Sequence, residues 1–290
     1  MMGPGAMREP FFPWSYHCHS RFDDGQGELE EYALAALGKG FQTLGFSGHA
    51  PLPFRTGWTM PPELLPEYLR TARELSVRYA SRLRVLLGLE VDYIPGIASP
   101  ASPFIRALGL DYTIGSVHFL GELAGGGRWT VDGPLSELER GLAESYGGDA
   151  RRAVTAFYAL LQAMLREGAP DVIGHFDLIK KNNRGERFFS ESAPWYRGLV
   201  LDTLEVVRHC GCLLEINTGG LTRNTSGAFY PSKWVLAECL RRDIPILVSS
   251  DAHRPEELDG FYPQAHRLLR ELGFRHTFLL TGEGRRAAPL

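Results

Sequence analysis

The chain has 290 residues, 44% hydrophobic and 22% charged, with a formal net charge of −3. These are the values of an ordinary globular enzyme, and the length suits one large core such as an α/β barrel of about 250 residues. The charge leaves no basic footprint for nucleic acid, and no apolar stretch approaches the roughly 20 residues of a membrane-spanning helix.

Along the chain, the opening MMGPGAMREPFFP lacks the basic region and long apolar core of a secretory signal. It is expected to be a flexible leader over residues 1–13, followed by one domain over 14–290. Short apolar runs then alternate with helical spacing. Strands are expected at 14–18, 43–47, 85–91, 112–117, 172–174, 213–216, 246–249 and 277–280. Helices are expected at 28–37, 63–79, 150–165, 194–209, 232–241 and 263–272. The second of these opens after Pro61 and Pro62, where a missing N–H costs little. Residues 121–134, with Gly125, Gly126 and Gly127, are expected to form a flexible loop beside His118. Strand–helix alternation points to a parallel sheet covered by helices. The four cysteines, Cys18, Cys210, Cys212 and Cys239, form no C-x-x-C pair and no disulfide framework, which fits a cytoplasmic protein.

Six of the nine histidines sit where an apolar run ends. They are His17 and His19 in YHCHS, His49 in FSGHA, His118 in GSVHF, His175 in VIGHFD and His253 in SSDAH. Glu90 in LLGLEVDY and Asp251 in SSDAH occupy comparable positions. Neutral imidazole and carboxylate are the ligands that hold Zn, Mn and Fe. His17 and His19 are two apart, so on a strand they share a face while Cys18 points to the other and reads as core. Glu90 interrupts an apolar strand and needs either a cation or exposure. Asp92 shares its face, and spacing alone does not choose which of the two is exposed. Asp24, in FDDG, belongs to the turn after the first strand. One catalytic zinc needs about three protein ligands, so this surplus implies two or three ions, an arrangement suited to phosphate ester hydrolysis. Barrel folds gather the C-terminal ends of their strands at one mouth, which would unite residues spread from 17 to 253.

These blocks, in this order, resemble the PHP (polymerase and histidinol phosphatase) family, in particular its stand-alone histidinol-phosphate phosphatases. The resemblance rests on HCHSRFDDG, GFSGHAPLP, GLEVDY, DYTIGSVHFL, GHFDLIKK, EINTGGL and SSDAHRPEE. It implies a single-domain distorted (β/α)7 barrel of the TIM-barrel type, so one of the eight strand candidates is peripheral. It implies a trinuclear site of Zn, Mn or Fe. His17, His19, Glu90 and Asp251 would hold one ion. Glu90 would bridge to a second, held by His118 and His175, and Asp24, His49 and His253 would hold a third. Lys180, Lys181, Arg223, Arg254 and Asn217 are the expected substrate contacts, with Thr222 where relatives can carry another basic residue. Glu122 is expected to meet the cationic amine of histidinol. The implied reaction is hydrolysis of L-histidinol phosphate, a step of histidine biosynthesis, by in-line attack of a metal-bridging hydroxide. A metal-bound water, or Asp251 or His253 in protonated form, would supply the leaving alkoxide with its proton. Two alternatives stay open on sequence alone: a phosphoesterase of this family acting on a nucleotide or sugar phosphate, and a catalytically silent, metal-stabilised binding module. Amidohydrolase barrels also use an H-x-H strand, but no carbamylated-lysine position is evident here.

Overall fold

A computed structural model describes residues 12–223 and 226–290. Residues 1–11 of the expected leader lie outside the described residues.

The strands in chain order are β1 (Trp14–Ser15), β2 (Thr43–Phe46), β3 (Arg84–Asp92), β4 (Tyr112–Ser116), β5 (Phe119–Glu122), β6 (Arg128–Thr130), β7 (Val172–Ile173), β8 (Leu213–Asn217), β9 (Ile246–Ser249), β10 (His276–Leu280) and β11 (Arg285–Pro289). Seven of them form one sheet in the order β1-β2-β3-β4-β7-β8-β9, with every neighbouring pair parallel. The sheet curls until its two edges meet. Cys18, just past β1, bridges Ala252, just past β9. The His19 N–H donates to Ala252 O at 2.8 Å and the Ala252 N–H to His17 O at 3.2 Å. The hydroxyls of Ser15 and Ser250 lie 3.0 Å apart across the same seam. The result is a nearly closed seven-stranded parallel barrel wrapped by helices, the expected fold.

Helices Leu29–Lys39, Leu65–Arg78, Ala150–Gly168, Pro194–Cys210, Lys233–Arg241 and Tyr262–Leu272 match the six expected ones. Their ends follow local chemistry. Glu31 accepts the Glu28 N–H at 2.6 Å at the start of the first, and Asp149 accepts the Arg152 N–H at 3.1 Å at the start of the third.

The eighth strand candidate, β10, pairs antiparallel with β11 outside the barrel. It is tied to the barrel through Tyr16, whose hydroxyl donates to Leu280 O at 3.1 Å and accepts the Leu280 N–H at 3.0 Å. The expected loop over 121–134 is instead the antiparallel hairpin β5–β6. Gly126 and Gly127 turn it at φ 78° and 90°, conformations open to glycine, while Trp129, Thr130 and Val131 are buried. Helix Leu135–Tyr146, which was not expected, follows it.

Inside the barrel, the Tyr112 hydroxyl donates to Tyr16 O at 2.5 Å and Phe46 O at 2.9 Å. Its ring has room because β2 and β3 carry Gly45 and Gly88: a Cβ there would lie 2.4 Å from the hydroxyl and 2.5 Å from ring carbon Cζ. Among the described residues no helix is long and apolar enough to cross a membrane.

Candidate metal centre

The barrel brings all nine candidate ligands to the C-terminal ends of its strands. His17 and His19 follow β1, His49 follows β2, Glu90 lies near the end of β3, His118 follows β4, His175 follows β7, and Asp251 and His253 follow β9. Asp24 reaches the same place from the turn after β1. Cys18 points away, its Sγ donating to Gly45 O at 3.4 Å. His175 and Asp251 have positive φ, 21° and 51°. His175 is held there in part by its N–H, which donates to Glu215 Oε1 at 2.8 Å.

Glu90 is the hub, and its two oxygens face different groups. Oε2 lies 3.1 Å from His17 Nε2, 3.0 Å from His49 Nδ1 and 3.5 Å from His19 Nε2. Oε1 lies 2.8 Å from His175 Nε2 and 3.7 Å from His118 Nε2, and accepts from the Ser116 hydroxyl at 2.5 Å. Asp251 Oδ1 stands 3.2 Å from His19 Nε2 and 3.7 Å from His17 Nε2. Asp24 Oδ1 stands 3.4 Å from His253 Nε2 and 3.8 Å from His49 Nε2.

His17 Nε2, His19 Nε2, His49 Nδ1 and Glu90 Oε2 are all buried, yet none makes a hydrogen bond. Buried polar atoms left unpaired are costly. Four of them converging within a few ångströms, each from a group with a lone pair, make a donor set that fits divalent cations. Burial disfavours charge throughout the centre, but at His17, His19, His118, Glu90 and Asp251 the local charges outweigh it. Glu215, Glu90 and Asp251 push His17 well above the ordinary imidazole range. Against the same burial, Asp23 pushes His19, and Asp92 pushes His118, up to about 10. Neighbouring histidines hold Glu90 well below the usual carboxylate range, and Arg223 and His17 do the same for Asp251. Burial holds His49 low. The site demands positive charge, as protons or as metal ions.

Three carboxylates that the sequence did not mark as site residues complete it. Glu215 Oε2 lies 2.9 Å from His17 Nδ1, Asp23 Oδ2 2.7 Å from His19 Nδ1 and Asp92 Oδ1 2.9 Å from His118 Nδ1. Each engages one ring nitrogen and turns the other towards the centre, as carboxylates behind metal-binding histidines do. Asp92 is 3% exposed and Glu90 1%, so neither is the solvent-facing residue that spacing had allowed for. Of the two aspartates in FDDG, Asp23 also accepts the His49 N–H at 2.8 Å, while Asp24 faces the cavity.

A cavity of about 330 Å³ opens over the centre, lined among others by Trp58, Asp132, Leu178, Lys181, Arg223 and Tyr230. Arg223 Nη2 lies 2.9 Å from Asp251 Oδ2, and Nη1 2.9 Å from His253 Nδ1. The expected substrate contacts divide. Lys181 and Arg223 line the cavity; Lys180, Asn217, Arg254 and Glu122 do not. Lys180 is buried, its Nζ 2.8 Å from Asp177 Oδ2 and donating to Ser232 Oγ at 2.5 Å and Phe229 O at 3.0 Å. Adjacent residues in the 3-10 turn Leu178–Lys180 and just beyond it project in different directions, which separates Lys180 from Lys181. Asn217 spends its amide on Glu215 Oε1 at 2.8 Å and Asp251 Oδ2 at 3.1 Å, and its oxygen on the Gly219 N–H at 2.8 Å. Its polar atoms are thereby committed to two carboxylates of the centre and to the backbone. Arg254 is exposed. Glu122 is 68% exposed and pairs with Arg128 at 2.7 Å across the hairpin, which turns it to solvent.

Comparison with known proteins agrees with this architecture. The chain matches the PHP domain family over residues 15–219. It is 35% identical over 259 residues to a probable histidinol-phosphatase of Deinococcus radiodurans, a match covering 86% of this chain and 91% of the relative. It is 29% identical over 259 residues to the histidinol-phosphatase of Bacillus subtilis, covering 85% and 95%. Two solved structures share the fold. A putative histidinol phosphatase from Listeria monocytogenes superposes with a TM-score of 0.74 at 24% identity, covering 86% of this chain and 98% of that one. Histidinol phosphate phosphatase from Lactococcus lactis, complexed with Zn, L-histidinol and phosphate, gives 0.70 at 20% identity, covering 94% and 98%. A family match over residues 15–219, joined to a relative 35% identical over 86% of the chain, means that the chain belongs to the PHP domain family.

Proposed function

We propose that the protein is a metal-dependent phosphatase that hydrolyses L-histidinol phosphate to L-histidinol and phosphate, a cytoplasmic step of histidine biosynthesis. The observation that carries this reading is the convergence of five histidines on the two oxygens of Glu90, with Asp251, Asp24 and His253 beside them, beneath a cavity that also presents Lys181 and Arg223. The names of the relatives supply the substrate.

By the family pattern, His17, His19, Glu90 and Asp251 would hold one ion, Glu90 with His118 and His175 a second, and Asp24, His49 and His253 a third. Glu90 suits the bridging role because Oε2 faces the first group and Oε1 the second. His49 stands between groups, with Nδ1 towards Glu90 and Nε2 towards Asp24. A histidine–carboxylate set accepts Zn, Mn or Fe, and Zn is the metal of the Lactococcus lactis structure. Bound ions supply Lewis-acid stabilisation of phosphoryl oxygens and a nucleophile at neutral pH.

The protein's own groups do the rest. Glu215, Asp23 and Asp92 fix the imidazole orientations. Lys181 and Arg223 present donors to the phosphate. Trp58, edge-on to His49 with ring centroids 4.6 Å apart, covers the centre against water. Asp251, held deprotonated, is a poor acid. His253 keeps the ligand role, with Nδ1 facing Arg223 Nη1 at 2.9 Å and Nε2 facing Asp24 Oδ1 at 3.4 Å.

The test combines elemental analysis with phosphate release from histidinol phosphate, a nucleoside monophosphate and a sugar phosphate. The expected result is two or three divalent ions per chain and at least about 100-fold higher kcat/KM for histidinol phosphate. Preference for another monoester would replace the substrate. Full metal occupancy without turnover of any ester would mark a silent binding module.

A further inference from the structure

Four carboxylates line the cavity: Asp24, Glu90, Asp251 and Asp132. The first three belong to the candidate ligand set. Asp132 stands apart, since it belongs to none of the groups of His, Asp and Glu atoms close enough to share an ion. Its position is nevertheless fixed to the centre. Asp132 follows β6, and the Val131 N–H donates to His118 O at 2.9 Å, so the backbone one residue away is bonded to a candidate ligand. On the other side of Val131, Glu137 Oε1 accepts the Thr130 N–H at 2.8 Å and the Thr130 hydroxyl at 3.2 Å. The Asp132 side chain is 28% exposed, and its ion-pair contact is with Lys181 Nζ at 3.4 Å, itself 24% exposed. A long, partly solvated pair of this kind is weakly held.

The charge balance of the cavity raises a question that phosphate binding alone does not answer. Metal ions, Lys181 and Arg223 make a receptor for a dianion. A fixed carboxylate in the same cavity opposes that dianion, and the opposition grows when Lys181 turns from Asp132 to the phosphate. A substrate cation near the phosphate would offset that opposition and give the carboxylate a partner in the filled cavity.

Building on the function proposed above, we propose that Asp132 is the specificity determinant for that cation. Its carboxylate accepts hydrogen bonds from an ammonium on the carbon next to the phosphorylated methylene, so the enzyme selects monoesters of 2-amino alcohols over those of neutral alcohols. Histidinol phosphate is one member of this class. Lys181 is the exchangeable partner, paired with Asp132 in the empty cavity and with phosphate in the filled one.

The test compares two matched pairs on the metal-loaded enzyme: L-histidinol phosphate with 3-(imidazol-4-yl)propyl phosphate, which lacks only the amine, and ethanolamine phosphate with ethyl phosphate. The wild type should favour the amine of each pair by about 30- to 100-fold in kcat/KM, the scale of one hydrogen bond between charged groups. Asp132→Asn should lose that preference mainly through KM, leave the amine-free esters within about threefold, and bind inorganic phosphate no more weakly. Asp132→Glu, which keeps the charge, should retain part of the preference and guards against a folding defect in the amide variant. The inference is overturned if the wild type treats the members of each pair alike. It is equally overturned if Asp132→Asn depresses both members together or weakens phosphate binding tenfold, since the residue would then act through Lys181. If histidinol phosphate is not hydrolysed but the ethanolamine pair shows the expected pattern, the proposed substrate is wrong and the role of Asp132 stands.

Discussion

At the scale of single residues, the centre depends on groups that do not themselves face the cavity. One oxygen of Glu215, Oε1, accepts from the His175 N–H and the Asn217 amide at 2.8 Å each, while Oε2 lies 2.9 Å from His17 Nδ1. Glu215 therefore aligns residues from β1, β7 and its own β8 at once. Glu215→Gln would set an N–H₂ against donors on one side or the other. Metal affinity should fall about 10- to 100-fold, as is usual when a carboxylate behind a histidine ligand is lost, and chelator competition measures it directly. An unchanged affinity would remove Glu215 from the centre. Glu90→Gln acts differently. It should abolish phosphate release and lower metal content, because Oε1 and Oε2 each face imidazoles of a different group; elemental analysis and a turnover assay on the same sample decide it. The sequence exposed Glu90 because a carboxylate in an apolar strand demands a partner. Glu215, in LLEIN, carried the same signal. Asp23 carried none, because an aspartate in FDDG reads equally as a turn residue.

At the scale of elements, strand ends were legible and connections were not. His49, His118 and His175 each close an apolar run, so periodicity placed the loops that carry them. The strand candidate at 277–280 is equally apolar, and only its antiparallel partner β11, in a sequence as polar as RRAAP, places it outside the barrel. The glycine run at 125–127 suggested a loop, yet two of those glycines are the turn that lets β5 and β6 pair, and β6 leads directly to Asp132. Close packing inside the barrel was hidden too, because a glycine in a strand does not announce which side chain occupies its space. Gly88→Ala tests that packing. The new Cβ would lie 2.5 Å from the Tyr112 ring, and the tyrosine cannot retreat without losing its bonds to Tyr16 O and Phe46 O. The expected cost is about 1–3 kcal/mol, read as a lower denaturant midpoint at unchanged slope. A neutral substitution would mean that β2, β3 and β4 separate easily at their shared tyrosine.

At the scale of the whole molecule, the barrel closes through few hydrogen bonds. Among the described residues, the seam between β1 and β9 rests on the Cys18–Ala252 bridge and on Ser250, whose hydroxyl meets that of Ser15 and the His17 carbonyl and whose N–H donates to Ser15 Oγ. His17 and His19 on one side of that seam and Asp251 and His253 on the other meet at the same site, so ions held there would fasten the barrel across its gap. A tight ion present at about a thousand times its dissociation constant adds about 4 kcal/mol to folding. At roughly 2–4 °C per kcal/mol for a domain of this size, thermal midpoints should rise by about 8–16 °C on loading. The pH dependence has a definite sign. In the unloaded protein His19 and His118 are raised from 6.5 to about 10, so the stability they contribute is complete below 6.5 and is lost as pH rises through about 10. The stripped protein should therefore melt at progressively lower temperature between about pH 7 and 10, while ions replace those protons in the loaded protein and hold its midpoint more nearly level. The gap between loaded and stripped samples should widen with pH, and metal binding at about pH 8 should release protons, measurable by calorimetry in buffers of different ionisation enthalpy. A gap that narrows with pH, or binding without proton release, would mean that metal ions do not take the place of protons on these imidazoles.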